Sequence, residues 1–126
     1  MNTLLWIAGG GAIGAVSRYL ISNAVYDWLG KGFPWGTLVV NVLGSFLMGL
    51  LSYLFISGKI PVSVEVRSAI LVGMLGALTT FSTFANDNWL LLDDGQLGLA
   101  LFNMIISVVL CVLAVWLGGL TARGFG

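Results

Sequence analysis

The chain has 126 residues, of which 59% are hydrophobic and only 8% are charged, and its mean hydropathy is +1.05. Soluble domains are about half apolar and about one-quarter charged, so this composition excludes an ordinary soluble protein. Five basic residues balance five acidic ones, which leaves neither a positive surface for nucleic acid nor a polybasic segment for anionic lipid. With a single cysteine and no histidine, an intrachain disulfide is excluded and a soft-metal site is disfavoured.

Four apolar segments follow one another along the chain, each long enough to cross a hydrocarbon layer of about 30 Å. We predict transmembrane helices over residues 4–25, 35–57, 68–92 and 97–120. Short connections rich in Gly, Pro and charged residues separate these segments, which predicts one up-down four-helix membrane domain over residues 1–126. The first segment lacks a basic leader and is longer than a signal-peptide core, so we interpret it as a retained helix.

Basic residues are spread almost evenly over the two sides of the predicted bundle. Lys59, Arg67 and Arg123 fall on the side of both termini, whereas Lys31, and Arg18 if its side chain extends outward, fall on the other side. Loop Lys and Arg normally set membrane orientation. The weak bias therefore predicts insertion in both orientations and an antiparallel homodimer.

Two of the predicted helices carry polar residues at every fourth position, along one helix face. These positions are Thr37, Asn41 and Ser45 in the second helix, and Asn103, Ser107 and Cys111 in the fourth. An interhelical hydrogen bond explains Asn41 alone as well as a pore does. Together the two stripes predict one polar track, whose neutral donors suit an anion without binding it too tightly to release.

The third segment contains the strongest signal, the run Gly73-Met74-Leu75-Gly76-Ala77-Leu78-Thr79-Thr80-Phe81-Ser82-Thr83-Phe84. Glycines followed by Thr and Ser make a poor continuous helix, so we predict a break here. A break at membrane depth is tolerated where the freed backbone groups are buried in protein or line a cavity. Phe81 and Phe84 are three residues apart and can present electropositive ring edges to a small anion, although an isolated Phe pair is more often core packing.

In these segments the chain resembles the bacterial fluoride channels of the Fluc/CrcB type, over nearly its whole length. Three motifs carry the resemblance: Gly9-Gly10-Gly11-Ala12-Ile13-Gly14-Ala15-Val16-Ser17-Arg18-Tyr19, Gly36-Thr37-Leu38-Val39-Val40-Asn41, and Thr79-Thr80-Phe81-Ser82-Thr83-Phe84. The resemblance implies an all-α integral membrane fold with helix three broken mid-membrane, and an antiparallel, dual-topology homodimer in the inner membrane of a bacterium. It also implies passive fluoride export from the cytoplasm through two pores, each built from both subunits.

The resemblance further implies which residues line the pore. Phe81 and Phe84 would face the fluoride ion, and Asn41 would donate a hydrogen bond to it. The other pore positions are Thr80, Ser82, Thr83, Asn103 and Ser107. Because the spans offer no acid–base pair and no activated nucleophile, we predict that the protein is not an enzyme.

A structural sodium ion at the dimer axis is also implied, held by the backbone carbonyls of Gly76 and Thr79. Arg18 matches a family arginine near the end of helix one, and its expected place is the pore vestibule or a helix end, with a snorkelling anchor as the alternative. Two positions depart from the family pattern. Ala77 stands where a second glycine is common, and Cys111 stands where a serine is common.

Three rival interpretations are available. A proton-coupled small multidrug transporter shares the size and topology but needs a carboxylate inside the membrane, and Asp87 lies past the predicted break, toward the end of its helix. A non-conducting assembly subunit leaves the Phe pair unexplained. The chain could also be one subunit of a heterodimeric fluoride channel, because the family includes paired paralogues.

Overall fold

The computed structural model describes residues 2–125, and every regular element in that range is helical. Three spans are continuous: α1 (Asn2–Leu29), α2 (Trp35–Ile56) and α6 (Leu97–Arg123). The third span, Val64–Asp93, consists of α3 (Val64–Ser68), a π-helix (Ala69–Met74), α4 (Leu75–Leu78) and α5 (Phe81–Asp93). All four spans are long and apolar enough to cross a membrane, so the chain is a multi-pass membrane protein.

Helix ends differ most from the hydropathy boundaries at two places, by four residues each. α1 continues past the predicted end at residue 25, because hydropathy falls at Asp27 whereas the helix ends before Gly30, whose positive φ of 84° breaks the repeat. The third span starts at Val64 rather than at residue 68, because Ser63 caps it by accepting a hydrogen bond from the Val66 amide. The first turn of this span, which carries Glu65 and Arg67, is therefore helical rather than part of the loop that hydropathy predicts.

Glycines bring the helices together at backbone distance. A Cβ atom at Gly10 or Gly14 would overlap a backbone carbonyl of the π-helix, and one at Gly73 would approach the backbone of α1. Gly49 and Gly118 play the same part between α2 and α6, the most extensively packed pair of elements. Membrane helices lack a hydrophobic driving force for association, so such close packing stabilises the bundle.

The outer surface of the bundle is apolar. Ile105, Val112 and Trp116 on α6 are 64%, 65% and 60% exposed. A monomer in water rarely exposes so much large apolar surface, so these side chains face acyl chains or another protein. The core inside is small and includes the cluster formed by Val40 and Leu75, both fully buried.

Lys59 caps the C-terminal end of α6. Lys59 Nζ donates to the carbonyls of Ala122, Arg123 and Phe125, at 3.2, 3.1 and 2.6 Å. The final carbonyls of a helix have no intrahelical partner, and a cation there also complements the helix dipole. Lys59 therefore ties the loop after α2 to the end of α6.

Candidate functional site

The third span is interrupted at Thr79 and Thr80, within the run where a break is predicted. Thr79 (φ −88°, ψ 156°) and Thr80 (φ −152°, ψ 121°) are both extended, so helical hydrogen bonding stops at Leu78 and resumes at Phe81. Each side of the break has a local cap. Thr79 donates to the Leu75 carbonyl through both its amide and its hydroxyl, and Thr80 Oγ1 accepts from the Thr83 amide.

Asn41 of α2 holds the break from outside. Its Oδ1 accepts from the Thr80 amide at 2.7 Å, and its Nδ2 donates to the Thr80 carbonyl at 3.1 Å. These two bonds satisfy both backbone polar groups of Thr80, as a membrane interior requires. A carboxamide has two N–H donors, so the second Nδ2 proton of Asn41 remains for the cavity that this side chain lines.

Arg18 of α1 joins the two halves of the broken span. Its Nε donates to the Ala77 carbonyl at 3.1 Å, and its Nη1 donates to Thr83 Oγ1 at 3.4 Å. The Ala77 carbonyl is one of the last in α4, where a cation is favoured by the helix dipole. The structure thus places Arg18 at a helix end, directed inward rather than outward to the membrane surface.

A cavity of about 300 Å³ lies beside the break, between α2, α5 and α6. Phe81 and Phe84 line it with ring centroids 5.5 Å apart and planes tilted by 51°. Phe84 is buried, whereas Phe81 is 78% exposed. The other lining residues are Asn41, Gly44, Ser45, Met48, Thr79, Thr80, Ser107, Val108, Cys111 and Val115. Two phenyl rings therefore share one small cavity with neutral polar groups.

The predicted pore residues do not all reach this cavity. Ser107 and Thr80 line it, whereas Thr83 is held by Arg18 and Ser82 is an exposed residue within hydrogen-bonding distance of Thr80 Oγ1, at 3.5 Å. Asn103 lies behind Ser107, buried between α5 and α6.

A ladder of three buried polar side chains connects α5 and α6. Ser107 Oγ donates to Asn103 Oδ1 at 3.1 Å, and Asn103 Nδ2 donates to Asn88 Oδ1 at 2.7 Å. Exposed fractions are 5%, 1% and 5% for Ser107, Asn103 and Asn88. Asn88 was not among the predicted residues. Its position four residues after Phe84, on the same helix face, was the available signal.

A second, wider cavity of about 820 Å³ opens at the far end of α5. Thr37 donates to the Asp87 carboxylate at 2.7 Å, and Tyr26 lies 3.5 Å from the Thr37 hydroxyl. Because the single Thr37 proton goes to Asp87, the Tyr26 hydroxyl is the donor in the second bond. Asp87 and Lys31 line this wide cavity, and Asp87 is absent from the lining of the cavity beside the phenyl rings.

Comparison with known proteins identifies the family. The family model described as "CrcB-like protein, Camphor Resistance (CrcB)" matches residues 5–119. The chain belongs to the CrcB family. A "Fluoride-specific ion channel FluC" from Magnetococcus marinus is 57% identical over 120 residues, covering 95% of this chain and 97% of the relative.

Further curated CrcB relatives carry the same name. The one from Shewanella halifaxensis is 52% identical over 119 residues, or 94% of each chain. The one from Methylococcus capsulatus is 52% identical over 124 residues, covering 98% of this chain and 54% of the longer relative. The resemblance drawn from the three sequence motifs is thus confirmed. The protein is also not an enzyme, since the curated relatives are ion channels.

The CrcB resemblance implies a sodium ion, and the chemistry of the break is compatible with one. In a continuous helix the Thr80 amide would bond the Gly76 carbonyl, but here it bonds Asn41. Arg18 donates to the neighbouring Ala77 carbonyl. The Gly76 carbonyl oxygen therefore has neither its helical donor, the Thr80 amide, nor a hydrogen bond from Arg18. Gly76 is exposed, and neutral backbone oxygens suit a hard cation. One chain supplies only the carbonyls of Gly76 and Thr79, so a full coordination shell requires another source of oxygen.

Proposed function

We propose that this protein conducts fluoride passively across the inner membrane of a bacterium, carrying the ion out of the cytoplasm down its electrochemical gradient. One observation carries the proposal: the break of the third span, bonded by Asn41, lines a cavity that is also lined by the rings of Phe81 and Phe84. The names of the curated relatives support fluoride as the ion.

The chemistry of the cavity favours a small, weakly polarisable anion that must also leave. Ring edges carry partial positive charge, and the first amides of α5 at Phe81 add the positive end of a helix dipole. Asn41 contributes a neutral donor. The Arg18 guanidinium is bonded to Ala77 and Thr83, and none of the described residues that line the cavity carries a full charge that would trap the ion.

A second, antiparallel copy completes this pathway in our proposal. Phe81 is 78% exposed, so a single chain leaves one wall of the cavity open, and a second copy would supply that wall and a second pore. The distribution of Lys and Arg over the two sides of the membrane supports an antiparallel dimer less strongly than the sequence analysis predicts. With Arg18 directed inward, Lys31 is one basic residue against three on the side of the termini. Support for the dimer comes rather from the open wall of the cavity and from the family resemblance.

We also propose a structural sodium ion at the dimer axis. The carbonyls of Gly76 and Thr79 from each of two copies would give four oxygens at the dimer axis. The ion would fix the two breaks relative to each other without touching fluoride. Replacing sodium by N-methylglucamine on both sides of the membrane should then slow fluoride flux, and equal flux would contradict the sodium site alone.

Fluoride efflux from liposomes tests the proposed function directly. Purified protein should release fluoride and retain chloride, and Phe81→Ile should slow fluoride release. Phe102→Ile is the matched control, because Phe102 is a half-exposed ring on α6 that packs on Phe33. Equal release of both halides, or equal rates for the two variants, would overturn the assignment.

Two further outcomes address assembly. In a Cys111→Ser background, single cysteines introduced by Ser57→Cys and Asp94→Cys should each react partly with a membrane-impermeant maleimide if both orientations occur. Reaction at only one of them would rule out dual topology. Well-folded protein that conducts no fluoride alone, but conducts when a paralogue is co-purified, would support the heterodimer interpretation.

A further inference from the structure

We propose that Asn88 is a positioning residue that lets the Ser107 hydroxyl redirect its proton from Asn103 to the cavity when an anion arrives there. This inference rests on the proposed function. It concerns the three side chains of the buried ladder, Asn88, Asn103 and Ser107.

In the observed arrangement Ser107 faces the cavity with the wrong polarity for an anion. Its single proton is donated to Asn103 Oδ1 at 3.1 Å, so only oxygen lone pairs remain for the cavity that Ser107 lines. The direction is fixed from behind, because Asn103 Nδ2 donates to Asn88 Oδ1 at 2.7 Å. Asn103 therefore presents its carbonyl to Ser107.

Turning only the Ser107 proton toward an anion would be expensive. Asn103 is 1% exposed, so its Oδ1 would be left buried without a donor, which costs about 1–3 kcal/mol in proteins. A buried hydrogen-bond network is favourable only when each of its members is satisfied.

The ladder can instead reverse as a unit. If both carboxamides turn over, Asn88 Nδ2 donates to Asn103 Oδ1, Asn103 Nδ2 donates to Ser107 Oγ, and the Ser107 proton is free for the anion. Each group keeps a partner and no proton is transferred. Amide nitrogen and oxygen are nearly isosteric, and the terminal amide torsion is soft. The rotation therefore exchanges nitrogen and oxygen between the same two positions, and the neighbouring atoms need not move. The carboxamide at position 88 can serve both directions because it carries a donor and an acceptor, whereas a carboxylate only accepts.

Replacing Asn88 by an acceptor tests this reversal. At a pH where its carboxyl is ionised, Asn88→Asp offers acceptors only, so Asn103 must keep donating to it and Ser107 stays turned away from the cavity. We expect fluoride efflux to fall about tenfold or more, the equivalent of one charge-assisted hydrogen bond. Asn86→Asp is the matched control, since Asn86 is exposed two residues away, and it should change the efflux rate less than twofold.

A double-mutant cycle with Ser107→Ala separates the reversal from charge repulsion. Without the hydroxyl there is nothing to reorient, so adding Asn88→Asp should change the remaining efflux less than about twofold. A repulsive charge would instead slow efflux equally in both backgrounds, and that additivity would refute the proposal while leaving the fluoride channel intact. Absence of efflux from the unsubstituted protein would refute the channel itself.

A spectroscopic readout covers the case in which Ser107→Ala does not conduct. In protein labelled with ¹⁵N-asparagine, the Asn103 side-chain amide, assigned from its loss in Asn103→Leu, should shift when fluoride is added. The same signal should not move in Asn88→Asp. A shift of equal size in both proteins, or none in the unsubstituted protein at fluoride concentrations that conduct, would show that the ladder does not reverse.

Discussion

The hydrogen bonds from Asn41 to the break can be removed by a near-isosteric change, Asn41→Leu. This change leaves the amide and carbonyl of Thr80 without their partners at 2.7 and 3.1 Å. Each unpaired backbone group costs about 1–3 kcal/mol when buried, so the full range is roughly 2–6 kcal/mol. Thr80 is only half-buried and faces the cavity, where water can replace part of the loss, so we expect a decrease in unfolding free energy of about 2–3 kcal/mol.

Unfolding in mixed detergent micelles, followed by tryptophan fluorescence, measures this loss. Ser45→Ala is the control, because Ser45 lies one turn further along α2 and lines the same cavity. It should change the free energy of unfolding by less than about 0.5 kcal/mol. If Asn41→Leu were no less stable than Ser45→Ala while fluoride efflux stopped, Asn41 would act on the ion alone, and the clamping role would be refuted.

Three further predictions concern Arg18, Gly118 and Lys59. Arg18→Lys should slow fluoride efflux nearly as much as Arg18→Gln, because an ammonium group cannot reproduce the two-pronged geometry of a guanidinium. Rescue of efflux in Arg18→Gly by added guanidinium would support this, and full activity of the lysine variant would contradict it. Gly118→Ala should lower stability by about 1–3 kcal/mol through overlap with the Phe46 carbonyl, whereas Gly119→Ala, with nothing within 4 Å of its Cβ position, should not. Lys59→Met should raise amide hydrogen exchange in the last turn of α6 while leaving the efflux rate unchanged, since three carbonyls lose their donor.

Much of the fold is encoded in patterns that the sequence displays directly. Long apolar runs fix the number of spans, and the Gly–Thr–Ser run indicates the break, because local propensity and membrane chemistry agree there. The π-helix at Ala69–Met74 could not be predicted. Its wide turn, marked by the Leu75 amide bonding the Ile70 carbonyl five residues back, lies where α1 approaches closest, and that is a property of two segments rather than of one.

The site was harder to predict than the fold, because hydrogen-bond partners depend on the third dimension. Asn41 was equally well explained as pore lining or as interhelical contact, and the structure shows one carboxamide making the contact while still lining the cavity. Asn103 is predicted to line the pore from its spacing in the fourth helix and from the family resemblance. Its partner Asn88 lies on another helix, so the spacing within either segment does not reveal the pair.

An interruption in a membrane helix can act as a hinge, but here side chains from two other helices hold it by hydrogen bonds. Asn41 of α2 makes two hydrogen bonds to the extended residue Thr80, and Arg18 of α1 makes one hydrogen bond to each of the flanking helices α4 and α5. Bending at this point would break all four hydrogen bonds, which stiffens the third span against swinging as a gate. In the proposed channel, flux would then be set by how often ions enter the cavity and how long they stay there.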